Sequence, residues 1–369
     1  MNRLTSLPAL LLATLLAADA ASADNYRIET LTEGLSYPWS LAFLPDGRML
    51  VTERGGQLRQ LEADGRLREA PVTGVPEGYV DVQTGLMEVA IDPDFADNGL
   101  IYLTYAYGDA EANNTRLARA RLVDDRLEDL QVLFSAQPAK RGGSHFGGRL
   151  VFLPDDTLVL TLGDGFDYRE QAQNLGNHLG KLVRLTRDGE VPPDNPFRDQ
   201  PGVEPAIFSS GHRNVQGIAY DPETGRLYTN EHGPRGGDEL NLIESGRNYG
   251  WPLATFGIDY TGAQISPFRQ LPGMTAPLLH WSPSLAPSAL AVYRGELFPQ
   301  WQGDLFNAAL VGREVRRVRL TNGTLVEQQS LFKELDARIR DVRVGPEGAL
   351  YLLTDGAEGR LLRVVPAGP

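Results

Sequence analysis

The chain's 369 residues carry 48 acidic against 35 basic side chains, a formal net charge of −13, and 41% of them are hydrophobic. An acidic chain without a basic cluster argues against nucleic acid and anionic membrane surfaces as partners. Cysteine is absent, so an oxidising compartment offers no disulfide and closure of the fold must come from strand pairing.

Residues 1–23 read as an export segment. Arg3 gives the positive start, Leu7 to Ala18 an apolar run, and Ala21 to Ala23 a small-residue cleavage site. Cleavage before Asp24 would leave a periplasmic protein, and no later stretch is apolar for long enough to insert in a bilayer. An apolar strand running into a Pro-centred turn and a second apolar strand then recurs six times. The copies centre on Pro45, Pro93, Pro154, Pro222, Pro299 (a worn copy from Ala289 to Leu310) and Pro346, spaced 48, 61, 68, 77 and 47 residues apart. Such a recurrence of short strands predicts an all-β fold, a six-bladed β-propeller with four-stranded antiparallel blades, over residues 24–369 as a single domain. The N-terminal strand from Tyr26 to Leu31 is expected to join the last blade. A ring of this kind gathers the ends of the second strands at one mouth, which directs attention to Glu53, Asp164, Glu231 and His232.

Three groups near those ends can carry chemistry. The stretch from Asn230 to Glu239, followed by Asn248 to Pro252, offers carboxylates, a histidine and a glycine-rich backbone. It can be read as oxygen ligands for a hard cation or as a solvated loop held by its own turns. His145 lies between the glycine pairs 142–143 and 147–148, just before the third blade's first strand, and Asp164 follows the next strand. A carboxylate beside an imidazole fixes its tautomer and supports a general base. Arg213 with Asn214, Arg313, Arg338 and Arg340 fall near blade edges. Together they suit a small ligand with several carboxylates, although each alone could be a surface ion pair. The acidic run from Asp92 to Gly99 lacks the glutamate of a calcium loop, with Tyr105 in its place, and reads as an inter-strand turn.

The chain resembles the soluble sugar dehydrogenases that depend on pyrroloquinoline quinone (PQQ). The matching stretches are Gln83 to Leu86, His145 to Leu150, Gly180 to Leu185, Asp194 to Phe197, Gly211 to Gly217, Asn230 to Glu239, Asn248 to Leu253 and Arg338 to Val342, in order over nearly the whole chain. The resemblance implies PQQ bound above the channel, with His145 as general base and Asp164 orienting it. Gln83, Arg213, Asn214, Tyr260, Arg313, Arg338 and Arg340 would contact or overlie the quinone. Main-chain oxygens of Gly233 and Pro234 would hold the Ca²⁺ that also ligates PQQ, and Glu239 with Tyr249 a second, structural Ca²⁺. The implied reaction oxidises an aldose at C1 to an aldonolactone, with electrons passed to an external acceptor. Relatives commonly carry proline where this chain has Val215, Asp or Asn where it has Ser144, and lysine near Val311 and Arg313.

A calcium-dependent lactonase is the rival from another enzyme class, since it too can be a secreted six-bladed propeller. It would use the central metal on an ester carbonyl and need no arginine cluster. A non-catalytic binding propeller is the third reading, and fold alone does not choose among them.

Overall fold

A computed structural model describes residues 25–368; the export segment read at 1–23 lies outside the described residues. Six antiparallel sheets follow one another along the chain as the blades of a propeller. Their innermost strands are Pro38–Phe43, Leu86–Ile91, Leu150–Phe152, Val215–Asp221, Pro287–Val292 and Ile339–Val344. Each Pro-centred repeat proves to be the connection between a blade's first and second strands, the worn copy included. The first blade departs from the expected pattern with three strands. Isolated bridges Leu58↔Val72 and Leu61↔Leu67 take the place of its fourth.

Closure is by strand exchange between the chain ends. Tyr26–Leu35 pairs with Gly359–Pro366 in the last blade, with Tyr26 opposite Pro366 and Leu35 opposite Gly359. This supplies the staple that disulfides cannot. The second strands Met49–Glu53, Thr157–Thr161, Leu305–Ala309 and Leu350–Thr354 are buried along their whole length, because a neighbouring blade covers each face. Outer strands such as Arg126–Ser135 are mostly exposed.

A repeated polar contact sets the angle between blades. Thr52, Thr104, Thr161 and Asn230 each stand on a second strand and donate to a carbonyl at the inner strand of the following blade. The acceptors are Met87, Gly148, Val215 and Ala289. Buried donors left without these carbonyls would each cost about 1–3 kcal/mol, so the tethers fix the ring geometry.

The channel is closed by charge. Buried Arg149 stacks over Trp39, pairs with Glu88 at 3.1 Å and Asp341 at 3.2 Å, and donates to the Gln216, Ser288 and Arg340 carbonyls. Arg343 completes the set on Glu88 and Asp341. This network forms a floor, and the loops beyond the second strands form a cup above it.

Candidate active site

His145 is held in a backbone conformation that few side chains adopt, with φ of 55°. Its neighbours make that possible. A Cβ at Gly163 would lie 2.2 Å from the His145 carbonyl oxygen, so only glycine lets the two segments touch. That contact brings His145 Nδ1 to 2.7 Å from Asp164 Oδ1. Asp164 is fully buried. Its Oδ1 also accepts the Phe166 amide, its Oδ2 accepts the Trp251 indole N–H at 2.8 Å, and its own amide donates to the Arg213 carbonyl. Burial pushes the His145 pKa below its ordinary value, against the opposing pull of the Asp164 hydrogen bond and with help from the Arg213 charge. The ring is therefore neutral at neutral pH, with its Nδ1–H donating to Asp164 and the Nε2 lone pair free to accept.

The imidazole, 5% exposed, faces a cavity of about 500 Å³ at the ring's mouth. Gln83 lines the same cavity, and its Oε1 lies 3.4 Å from the His145 amide. Asn214 lines it too and accepts the Gly147 amide at 3.1 Å. On another wall Arg338 and Arg340 converge on Asp355, at 3.0 and 3.5 Å. Burial raises the Asp355 carboxyl, but the guanidiniums of Arg340, Arg338 and Arg54 outweigh it and hold the group below its usual range. Burial pushes Arg340 down to about 10, which leaves it charged. Its Nε finds no hydrogen-bond partner among the described residues. Arg54, which sequence reasoning missed, lines the cavity beside this pair and stacks on Tyr37. Three guanidiniums thus face one carboxylate.

Arg213 is positioned from below. Glu231 accepts its amide at 2.6 Å and takes His212 Nδ1 at 3.0 Å with its other oxygen. The Arg213 guanidinium donates to the carbonyls of His232 and Gly233 and approaches the Tyr260 hydroxyl at 3.4 Å. His232 also lines the cavity. Burial, then the Arg213 charge, push its pKa down to about 3.

The glycine-rich loop is fixed by a residue the sequence did not flag. Asp238 accepts the Gly233 amide, the Leu285 and Ala286 amides and the Ser284 hydroxyl, all between 2.6 and 3.0 Å. It ties the loop to the entry of the fifth blade. The Glu239 carboxylate, next along, accepts the Asn241 amide at 3.3 Å; burial and then the Glu231 charge raise its carboxyl well above the ordinary value. Tyr249 stacks on His212, and its hydroxyl is engaged by the Leu242 carbonyl and the Glu244 amide, so only its main chain could hold an ion. Pro234 lines a smaller neighbouring cavity with Tyr260. Among the described residues no three His, Asp or Glu side chains converge, so a cation here would draw on main-chain carbonyls.

Two expectations need correction. Arg313 does not line the cavity: its guanidinium, 53% exposed, pairs with Asp336 at 2.7 Å, and Val311 beside it is exposed. Glu53 is structural, taken by the Ser36 amide and Arg59. His178 and His280 serve packing, as expected, the first accepting the Gln137 amide and the second stacked on Phe256. The Asp92 segment is an inter-strand turn held by Asn98 and Arg187.

Residues 35–363 match the family model described as "Glucose / Sorbosone dehydrogenase". The aldose sugar dehydrogenase YliI of Escherichia coli is 43% identical over 352 residues, covering 94% of each chain. The apo crystal structure of the soluble aldose sugar dehydrogenase from Escherichia coli superposes with a TM-score of 0.89 over 92% of this chain and 99% of that one. The PQQ-bound aldose sugar dehydrogenase of Streptomyces coelicolor, 30% identical, gives 0.72 over 92% and 99%.

Proposed function

This chain belongs to the glucose / sorbosone dehydrogenase family, and we propose that it oxidises aldose sugars at C1 to aldonolactones using PQQ and Ca²⁺, with electrons passed to an external acceptor. The observation that carries the reading is one cavity with two opposed walls. A neutral imidazole bonded to a buried carboxylate faces it from one side, and Arg54, Arg338 and Arg340 gather around Asp355 on another. Three positive charges against one negative, in a chain of net charge −13, suit a ligand that brings its own carboxylates. The unpartnered Arg340 Nε is a donor waiting for such a group.

PQQ, when bound, would supply a hydride acceptor and Ca²⁺ a Lewis acid. The protein's part follows from its own groups. Arg54, Arg338 and Arg340 would hold the cofactor's carboxylates, and Gln83, Asn214, Arg213 and Tyr260 would contact the rest of it. The Gly233 and Pro234 carbonyls would hold the cation; Gly233 already accepts from Arg213, and a carbonyl has a second lone pair to offer. Glu239 and the Tyr249 carbonyl hold a second, structural Ca²⁺, which would relieve a carboxylate that otherwise has one amide for company. His145 Nε2 takes the proton of the anomeric hydroxyl, and Asp164 stabilises the imidazolium that results.

The same reading has the enzyme exported through residues 1–23 and working in the periplasm as a single propeller domain. A calcium-dependent lactonase would have no use for the guanidinium cluster, which therefore favours the dehydrogenase. The test is an absorption titration of cofactor-free protein with PQQ, with and without Ca²⁺, followed by aldose:dye activity. Activity supported by NAD, or none with PQQ under any metal, overturns the reading.

A further inference from the structure

Lys140 is buried, 2% exposed, and its ammonium ends on uncharged groups. Nζ donates to Asn113 Oδ1 at 3.0 Å and to the Gly142 carbonyl at 3.1 Å, and it lies 3.7 Å over the Phe146 ring. The main chain is anchored too, since its amide and carbonyl exchange hydrogen bonds with Asn113 at the start of the second-blade strand Asn113–Val123. A Cβ at Gly165 would collide with the Lys140 Cδ, so the stem packs against the turn that follows Asp164. An ammonium taken out of water with no carboxylate among its hydrogen-bond partners is costly, and an apolar side chain could fill the same space.

What the ammonium touches is the two flanks of the base. Gly142 precedes His145 by three residues and Phe146 follows it, while His145 itself holds its rare positive φ. Such backbone persists only where its surroundings fix it from more than one side. The charge acts on the base as well. Lys140 and, from the fourth blade, Arg213 oppose a positive imidazole, whereas Asp164 favours one. His232, on the same blade as Arg213, is neutral and adds no charge. On Lys140 itself burial pushes the pKa down to about 8, against the charges of Asp164 and Asp167 in the third blade's loop. The second-blade hairpin adds Asp109 and Glu111. The first accepts the Glu111 and Ala112 amides, and the second pairs with Arg141 at 2.8 Å. Lys140 therefore stays charged at neutral pH.

We infer that Lys140 is a positioning residue for the base: its ammonium clamps the loop on both sides of His145, and its charge keeps the imidazole free of a second proton. The consequence for turnover rests on the aldose dehydrogenase reading, while the effect on the imidazole is a property of the protein without cofactor.

The test reads the imidazole first. Labelled histidine is titrated by NMR in the cofactor-free full chain, with the His145 signal identified by its loss in His145→Gln. Lys140→Met should raise the His145 pKa by roughly half a unit to one unit, the effect of one nearby charge in a partly screened interior. Lys140→Arg keeps the charge and should stay close to the parent. Lys140→Gln, which can still donate to both acceptors, takes the place of the methionine variant if that one does not fold. In the reconstituted holoenzyme the acid limb of kcat/KM for glucose should move up with the imidazole, since that profile reports the free enzyme's base. PQQ titration should be unchanged. An unaltered His145 pKa in the charge-removing variants, or an equal rise in Lys140→Arg, overturns the inference. A raised His145 pKa beside an unmoved acid limb, or in a protein that oxidises no aldose, upholds the hold of Lys140 on the imidazole and brings down the reading of His145 as the base.

Discussion

The indole of Trp251 donates to Oδ2 of Asp164 at 2.8 Å from a segment 87 residues further along the chain. That bond occupies one carboxylate oxygen and leaves the other for His145, so the aspartate has a single orientation in which to hold the imidazole. Trp251 belongs to the fourth blade's long loop and Asp164 to the third blade. The geometry of the base is thus a property of the assembled ring.

From this the behaviour of the base follows. His145→Ala should lower turnover by roughly 10²- to 10⁴-fold, the usual worth of a positioned general base. PQQ titration should be preserved, because other groups bind the cofactor. Asp164→Asn should give a smaller loss. Near-normal turnover in His145→Ala refutes its role, and lost PQQ affinity recasts it as a binding residue.

The pH dependence has a definite sign. As a general base His145 would work in its neutral form, and burial holds its pKa below the ordinary 6.5. Turnover should therefore stay flat as pH falls through 6.5 and decline only below it. In Trp251→Phe the freed Asp164 oxygen is a better partner for imidazolium, so the acid limb should move up. A profile of kcat against pH in the two proteins decides this; an inflection above 6.5 in the parent contradicts the burial argument.

Glu239 links calcium to stability. Its folded-state pKa is raised, so the folded protein prefers it protonated and loses stability as pH rises from the unfolded value near 4.5 toward the folded one. A cation bound there removes that cost and stabilises only the folded state. The Ca²⁺-induced rise in Tm should be larger at pH 8 than at pH 5 and should shrink in Glu239→Gln, whose calcium-free form should melt higher than the calcium-free parent. Melting curves insensitive to Ca²⁺ at both pH values remove this ion from the site.

Asp238 is expected to matter for stability and for the cofactor together. Its replacement by Ala strands the Gly233, Leu285 and Ala286 amides, and buried donors without acceptors cost about 1–3 kcal/mol each. Denaturant unfolding should show a loss of at least about 3 kcal/mol, accompanied by weaker calcium-dependent PQQ binding because the Gly233 carbonyl is no longer fixed. Unchanged unfolding would mean that Ser284 and water can take over the loop.

The ring was legible because each Pro-centred turn joins the same two strands of a blade, so the period survives even where Ala289 to Leu310 has lost its consensus. The closure by Tyr26 was legible too, since an acidic chain without cysteine has few other ways to shut. The tethers of Thr52, Thr104, Thr161 and Asn230 were not. A threonine in a strand looks like an ordinary β-former, and its partner carbonyl lies 35 to 59 residues away. His145 and Asp164 could be read because glycines bracket one and a strand end precedes the other. Asp238 could not be told from its neighbour Glu239 as loop acidity, since only the packed fifth blade shows which one is satisfied. Glu53 misled for the opposite reason: it stands at the mouth end of a strand but turns to Ser36 and Arg59.

Arg54 and Arg313 test the cavity most directly, because sequence and structure rank them in opposite order. Arg313 lies near a position where relatives carry lysine, yet its charge is spent on Asp336 at the exposed rim. Arg54 falls outside every matching stretch, yet it stands one residue beyond the first blade's second strand, at the mouth, and lowers the Asp355 pKa along with Arg340 and Arg338. If the cavity's positive excess holds the cofactor's carboxylates, Arg54→Ala should weaken PQQ binding roughly 10- to 100-fold, the range for a hydrogen bond to a charged group. Arg313→Ala removes an exposed ion pair of little worth and should change affinity by less than about twofold. Arg313→Ala should keep the parent's melting behaviour in the absence of PQQ, whereas Arg54→Ala should lower it modestly, since that guanidinium also donates to the Val82 carbonyl ahead of the second blade. The measurement is an absorption titration with PQQ at fixed Ca²⁺. A large loss in Arg313→Ala with none in Arg54→Ala would mean that the rim closes over the bound cofactor and that Asp336 releases its arginine when it does.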